Sequence, residues 1–284
     1  MNKVEPNNPQ TEYYDDEIRL DKNIKEFDIE TLPDSFFGVV VAPRRSGKSE
    51  KMQSLLESLY KSKTKRFDYI FLFSQTDAGY KKQIPNTYRF RDLKHLPYIV
   101  NKQAEVKAYN LKQKDKKKKV KSRILILLDD MIGESKGKDS LKNSDMIRKL
   151  SVNGRHLGND TVDGNGISVF ILTQAMKEIP KTIRMNTDII LSGRITSRIE
   201  RQTIIEEFCT LKSDRLGMKR AYELFDNITL SNPYRFIVIQ SHIANKKRES
   251  DFISLFDGEY PVVQHHLFGD DYDWEAPEEA ITIF

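Results

Sequence analysis

Residues 36–49 read FFGVVVAPRRSGKS, and the fold prediction starts from them. Their first half, up to Ala42, is a continuous apolar run, as expected of a strand that is covered on both faces. The last eight residues, Ala42–Ser49, match the pattern G-x-x-x-x-G-K-S/T at every fixed position except the first, where alanine replaces glycine. A helical apolar stripe follows, formed by Met52, Leu55, Leu56 and Leu59. A buried strand, this loop and an amphipathic helix together predict a phosphate-binding loop (Walker A).

Each residue type in the loop suits the binding of ATP. Backbone N–H groups of the loop and of the following helix point at the phosphates. Gly47 permits an unusual backbone angle, Lys48 neutralises the outer phosphates, and the Ser49 hydroxyl ligates Mg²⁺. Ala42 fits in place of glycine if its φ is negative. The predicted nucleotide contacts are Pro43, Arg44, Arg45, Ser46, Gly47, Lys48 and Ser49; for the two arginines, solvated side chains are an equal alternative.

A second apolar run, Ile124–Leu128, is followed by two aspartates, as in a Walker B motif. A parallel sheet brings the end of such a strand beside the phosphate loop. Asp129 is therefore predicted to hold Mg²⁺ through water, and Asp130 to orient or deprotonate the attacking water. Aspartate is shorter than the glutamate of many related ATPases, so the water must sit closer or the backbone must shift. The alternative is that the two aspartates only end a strand and begin a turn.

Gln174 ends a third apolar run, residues 167–173, and is a candidate to contact the γ-phosphate or the attacking water. Further apolar runs predict strands at residues 68–74, 188–191 and 234–239, and a helix over residues 197–210. Buried strands that alternate with helices predict an α/β fold: a P-loop NTPase with a mainly parallel central sheet flanked by helices.

Changes in composition divide the chain into three parts. Residues 1–34 are polar, without a sustained period, and are predicted to form an extended N-terminal arm. Residues 35–260 form the predicted motor domain. Residues 261–284 form an acidic C-terminal tail, which either is disordered or docks on a basic surface through Trp274 and Phe284.

The bulk composition limits the class of protein. The 284 residues carry a net charge of +5 with a pI of about 9.0, which is compatible with a nucleic-acid partner. The single cysteine, Cys209, excludes an internal disulfide and a C-x-x-C zinc site, suggests a reducing compartment, and lies in an apolar helical stretch where burial is expected. We find no signal peptide pattern at the start, and the apolar runs are too short to span a bilayer.

Residues 112–121 contain seven lysines and lie directly before the second apolar run. The absence of an aromatic residue suits non-specific contact with DNA phosphates rather than base stacking. A solvated loop or helix face is the equal alternative. The candidate DNA-binding residues are Lys114, Lys116, Lys117, Lys118, Lys119 and Lys121.

Three later segments carry a family resemblance: NGRHLG at residues 153–158, GISVFILTQ at residues 166–174 and IRMN at residues 183–186. Together they resemble the FtsK–HerA superfamily of DNA-pumping ATPases. Within it, the chain looks most like the genome-packaging ATPases of poxviruses and other large double-stranded DNA viruses and virophages. The resemblance covers roughly residues 36–240.

The resemblance implies an ATP-driven translocase that packages double-stranded DNA, working as a homo-oligomeric ring, usually a hexamer, in the host cytoplasm or viral factory or with the virion. It also implies a capsid or membrane-vertex partner and an arginine finger given to the neighbouring subunit. Arg155 is the first candidate for the finger, before Arg184 and Arg194, whereas His156 is a sensor or a structural histidine. The alternatives are another P-loop DNA motor, such as a helicase or plasmid-mobilising ATPase, and a scaffold protein with a degenerate nucleotide site.

Overall fold

A computed structural model of the chain describes residues 24–63, 67–76, 78–120, 123–131, 144–154, 166–212, 214–258 and 267. Its strands are β1 (Phe37–Val41), β2 (Tyr69–Ser74), β3 (Arg89–Phe90), β4 (Ile124–Asp129), β5 (Ser168–Thr173), β6 (Ile189–Ser192), β7 (Phe236–Gln240) and β8 (Ile253–Phe256). Its α-helices are α1 (Lys48–Lys61), α2 (Leu96–Lys112), α3 (Asp145–Asn153), α4 (Lys181–Arg184), α5 (Arg198–Ile204) and α6 (Arg215–Ser231). A π-helical turn, Ile205–Cys209, continues α5.

The strands form a single sheet within these ranges, in the order β3-β2-β4-β5-β1-β6-β7-β8. The six strands from β3 to β6 are mutually parallel, whereas β7 and β8 pair antiparallel. This confirms the predicted α/β class with a mainly parallel sheet.

Burial explains why the central strands can be recognised in the sequence as apolar runs. Every residue of β1, β2, β4, β5, β6 and β7 is buried, because helices cover both faces of the sheet. The apolar stripe of α1 is buried as predicted, from Met52 to Leu59. Cys209 is buried and free, which agrees with its predicted place in the core.

The sheet order fixes which chain ends meet. β5 lies between β1 and β4, with Val41 opposite Thr173 and Leu172 opposite Asp129. The carboxyl ends of all three strands therefore lie at one edge, which we call the carboxyl edge. The phosphate loop after β1, Asp130 after β4 and Gln174 after β5 all emerge there.

The end of the predicted N-terminal arm is part of this fold. The Phe27 amide donates to the Leu255 carbonyl at 2.7 Å, and the Leu255 amide donates to the Lys25 carbonyl at 2.9 Å, so this segment lies along β8. Phe27 and Leu32 are buried. The predicted boundary at residue 34 therefore moves toward the N-terminus. From the predicted tail, the one described residue, Leu267, is buried and bonded to the Gln83 carbonyl at 3.0 Å.

Within the described ranges, no helix is both long enough and apolar enough to cross a membrane.

Gly38 tests how tightly β1 packs. A β-carbon at this position would lie 2.2 Å from Phe170 Cε1 and 3.1 Å from Ile189 Cγ2. We expect Gly38→Ala to lower the free energy of unfolding by about 1–3 kcal/mol through overpacking, measured by denaturant unfolding. Gly79→Ala is the control, because its nearest neighbour is the flexible Gln53 side chain, at 3.0 Å. Equal stability of the two variants would contradict this account of the core.

Candidate active site

The phosphate loop begins as a continuation of β1. The Ala42 amide donates to the Thr173 carbonyl at 3.2 Å, and Ala42 is fully buried. Among the described residues other than glycine, positive φ angles occur only at Arg45 and Asp130. Ala42 therefore has the negative φ that the sequence prediction requires, and a residue with negative φ does not need to be glycine.

The loop itself turns through two left-handed residues, Arg45 with φ of 61° and Gly47 with φ of 78°. The Ser46 hydroxyl donates to the Pro43 carbonyl at 2.6 Å and so closes the turn from within. Left-handed residues among right-handed ones direct successive N–H groups into one concavity, which suits an anion. Arg44 and Arg45 are exposed at the tip of the loop.

Helix α1 begins at Lys48 without a side-chain cap on its first N–H groups. These donors carry the positive end of the helix dipole. A phosphate at this position would satisfy them, which is the usual arrangement at a phosphate-binding loop.

Lys48 spans from α1 to the end of β4. Its ammonium group donates to Asp130 Oδ1 at 2.6 Å, and its side chain is only 8% exposed, against 48% for Asp130. Gln174 Nε2 donates to Asp130 Oδ2 at 3.4 Å from the end of β5. Three of the four residues that the sequence predicts as catalytic therefore meet at the carboxyl edge; the fourth, Arg155, lies outside the described residues.

Asp130 adopts a left-handed backbone conformation, with φ of 51°. Its amide donates to the Leu172 carbonyl at 3.2 Å, so the backbone at this position is tied to β5. The sequence predicts that a short aspartate requires either a closer water or a shifted backbone. A positive φ at a residue other than glycine is uncommon and points to a constraint at this site.

Asp129 is buried at the last position of β4. Burial raises the pKa of its carboxyl group to about 6; the Lys48 ammonium acts against this rise, and the Asp130 carboxylate adds to it. Within the described part of the chain, Asp129 Oδ1 has no hydrogen-bond partner. A desolvated carboxylate oxygen without a partner is the group that a cation would stabilise.

Tyr80 is a site residue that the sequence did not indicate. It is buried beside Asp129 and Ser49, and burial, followed by the Asp129 charge, raises the pKa of its phenol well above the ordinary value. Its hydroxyl oxygen, like Asp129 Oδ1, makes no hydrogen bond of normal geometry to the described residues. Ser49 and Asp129 carry the oxygen groups that would hold Mg²⁺.

The three arginine-finger candidates have different surroundings. Arg155 lies outside the described residues, as does His156. Arg184 is held within its own chain: it donates to both carboxylate oxygens of Glu207, at 2.8 and 2.9 Å, and to the Ile179 carbonyl at 2.8 Å. Arg194 is exposed after β6, one residue beyond Gly193, whose amide donates to the Val41 carbonyl at 3.0 Å. Arg194 therefore lies beside the phosphate loop of its own chain.

The described residues of the lysine run, 112–120, form a short connection that leads toward the amino end of β4, opposite the carboxyl edge. Its centre is a 3₁₀ turn, Lys116–Lys118. The Asn110 side chain closes the connection: its amide donates to the Val120 carbonyl, and its oxygen accepts from the Val120 amide, both at 2.9 Å. The exposed lysines are Lys112, Lys114, Lys117 and Lys118, whereas Lys119 is partly buried; nothing is described of the Lys116 side chain or of Lys121.

Comparisons with known proteins identify a family and structures of similar fold. The sequence model of the family described as Poxvirus A32 protein matches residues 24–259. The genome-packaging NTPase B204 from Sulfolobus turreted icosahedral virus 2, in complex with ATP-γS, is similar with a TM-score of 0.50 and 14% identity, covering 79% of this chain and 98% of B204. The cytoplasmic domain of the Thermomonospora curvata type VII secretion ATPase EccC is similar with a TM-score of 0.52 and 13% identity, covering 88% of this chain and 30% of EccC. A comparison with curated protein sequences found no match.

Removing the charge of Asp129 and of Asp130 is expected to cause two different defects, one in Mg²⁺ binding and one in ATP hydrolysis. Asp130→Asn should bind Mg·ATP nearly normally but hydrolyse it about 10²-fold or more slowly, because the group that acts on the water is lost. Asn also tolerates the left-handed backbone. Asp129→Asn should instead raise the Mg²⁺ concentration required for half-maximal turnover.

Magnesium titrations of ATP binding and of ATP hydrolysis separate the two defects. Thermal unfolding of each variant controls for the loss of structure. The division of roles is wrong if both variants show the same defect in the magnesium titration.

Proposed function

The chain belongs to the poxvirus A32 protein family, and from this premise we propose that it uses ATP hydrolysis to move double-stranded DNA into a viral capsid. It is an ATPase. The observation that carries the proposal is that Lys48 and Gln174 both donate hydrogen bonds to Asp130 beside the phosphate loop. The helix that follows this loop, α1, has no side-chain cap. In a degenerate nucleotide site, we would not expect a buried lysine and two polar side chains to remain in contact beside the loop.

In the proposed reaction, the chain's own groups divide the work. The loop amides and Lys48 hold the phosphates, and Ser49 and Asp129 hold Mg²⁺, which would stabilise negative charge on the phosphoryl oxygens. Asp130 orients the attacking water or accepts its proton, and Gln174 contacts the water or the γ-phosphate. In this structure the Lys48 ammonium group is hydrogen-bonded to Asp130 Oδ1. A phosphate that binds this ammonium group would replace Asp130 as its partner and leave Asp130 Oδ1 available to the water.

We further propose that the chain acts in a homo-oligomeric ring with Arg155 as the finger given to a neighbour. Gly154, the preceding residue, accepts from the Ile167 amide at 3.0 Å, which is at the amino end of β5. Gln174 is at the opposite end of that six-residue strand, about 20 Å away at the usual rise per residue. Gly154 therefore lies far from the nucleotide site of its own chain, which supports a role in trans for the arginine that follows it.

The proposed DNA contact is the lysine run. It enters the amino end of β4, so the run and Asp129 lie at opposite ends of one strand. Exposed lysines without base-reading groups suit a motor that must move along any sequence. The remaining parts of the proposal are a capsid or membrane-vertex partner and action in the host cytoplasm or viral factory, with the virion as a further location.

The proposed function is tested by measuring ATP turnover with and without long double-stranded DNA, together with displacement of a third strand from a DNA triplex as the signal of translocation. We expect DNA to stimulate turnover and translocation to depend on ATP. Lys48→Ala, which removes the phosphate-binding ammonium, should abolish both.

Other outcomes identify the alternatives. Unwinding of forked DNA would favour a helicase. The absence of turnover in the wild-type protein would favour a scaffold with an inactive site. ATP turnover that does not change when DNA is added would contradict the translocase proposal, but it would still support the assignment of the nucleotide site.

Removing charge from the lysine run should weaken DNA binding without affecting ATP binding. For Lys114→Gln, Lys117→Gln and Lys118→Gln combined, each lost phosphate contact should flatten the slope of log K against log salt by about one unit. The matched control removes three other exposed lysines, Lys61, Lys94 and Lys219, which lie outside the run. If the slope of log K against log salt changes equally in both triple variants, or in neither, the result would favour a solvated loop over a DNA contact.

Arg155→Ala is expected to keep ATP binding and lose turnover, because finger arginines contribute about 10³–10⁵ in rate. Mixing it with Lys48→Ala gives the sharper measurement. In mixed rings, some intact phosphate loops would face intact arginines, so partial ATPase activity should return.

Native mass measurement verifies that mixed assemblies form. If they form and no activity returns, Arg155 is not the group given in trans. Arg194 is then tested in the same way, and Arg184 last, because its contacts with Glu207 already occupy it.

A further inference from the structure

Tyr234 is an exposed aromatic residue that lies directly against the phosphate loop. Its side chain is 57% exposed. A β-carbon at Gly47 would lie 3.2 Å from Tyr234 Cδ1 and 3.8 Å from Cε1, so the ring flanks the start of α1. Large exposed aromatic surface next to a ligand site is available to the ligand.

The connection that presents Tyr234 is held rigid by hydrogen bonds. The Asn232 side chain accepts from the Tyr234 amide, and the Asn232 carbonyl accepts from the Arg235 amide, both at 3.0 Å. The Arg235 guanidinium donates to both carboxylate oxygens of Asp257, at 2.7 and 2.5 Å, and to the Ser231 hydroxyl at 2.8 Å. The Tyr234 backbone is therefore fixed before any ligand binds, which lowers the entropic cost of a contact.

The sheet order places Tyr234 on the opposite flank of the loop from the hydrolytic groups. Asp130 and Gln174 follow β4 and β5 on one side of β1, whereas Tyr234 precedes β7 on the other side, beyond β6. A nucleotide whose γ-phosphate is at Lys48 and Asp130 extends its nucleoside away from them. That direction leads along the loop toward the flank of Tyr234.

We infer that Tyr234 stacks on the base of the bound nucleotide and forms the base subsite of this ATPase. The inference rests on the proposed binding of ATP at the phosphate loop. Stacking uses the face of the base, so the subsite accepts guanine as readily as adenine. The contact requires an aromatic ring but not the hydroxyl group.

The test compares ATP with tripolyphosphate, which has the phosphates but no base. Binding of each with Mg²⁺ is measured by calorimetry on Tyr234→Ala, Tyr234→Leu, Tyr234→Phe and Tyr234→Trp, with the non-hydrolysable analogue AMPPCP in place of ATP so that no turnover occurs. Loss of stacking should weaken ATP binding by about 5- to 100-fold in the Ala and Leu variants. The Phe and Trp variants should bind ATP like the wild type, and tripolyphosphate should bind all of them equally. Tyr98→Ala is the matched control, since Tyr98 is 59% exposed.

Each contrary outcome overturns the inference. If Tyr234→Leu binds ATP normally, the residue only covers the Gly47 backbone. If ATP and tripolyphosphate weaken together, Tyr234 shapes the loop rather than contacting the base. Because binding is measured without turnover, these outcomes are independent of whether the protein hydrolyses ATP or moves DNA. A wild-type protein that binds neither ligand would instead reject the phosphate-loop site itself.

Discussion

The nucleotide site depends on one ion pair that crosses a strand. Lys48 starts at the first residue of α1, passes over the end of β5 and reaches Asp130 after β4. A nearly buried ammonium without a partner is costly, so the pair joins the phosphate loop to the hydrolytic strand. ATP competes for the same ammonium. Binding of the phosphates to Lys48 therefore releases the Asp130 carboxylate from this ion pair.

The parallel sheet explains why polar groups collect at a single edge. Its central strands are apolar between their end residues, so charged and amide side chains are accommodated where the strands end. Asp129 occupies the last position of β4 and differs from the other polar groups there because it is buried with one unpartnered oxygen; its raised pKa reflects that burial. Such a carboxylate is unfavourable in the protein alone and favourable beside a divalent cation. The antiparallel β7 returns the chain to the same edge and brings Tyr234 to the other flank of the loop.

The sequence predicts those parts of the site that local pattern determines. Apolar runs mark β1, β4 and β5, and the residues that follow each run are Lys48, Asp129, Asp130 and Gln174. Tyr80 and Tyr234 are not predicted, because their positions depend on packing between distant segments. Tyr80 follows β2 in a 3₁₀ turn, and a tyrosine among polar residues is typical of any surface loop. β8 was missed because only its two end residues are buried, and the two-residue β3 is too short to form a pattern.

The open side of the site is the reason why the chain by itself is an incomplete catalyst in the proposed mechanism. Lys48 is nearly buried, but Asp130 is 48% exposed and Gln174 is exposed, so solvent reaches the hydrolytic groups. A transferring phosphoryl group requires positive charge on the side away from the loop. Arg184 cannot supply it without breaking its bidentate contact with Glu207, and Arg194 lies beside the start of the loop. A cation from a neighbouring subunit would both complete the charge and exclude water from the exposed edge, which links hydrolysis to assembly of the ring.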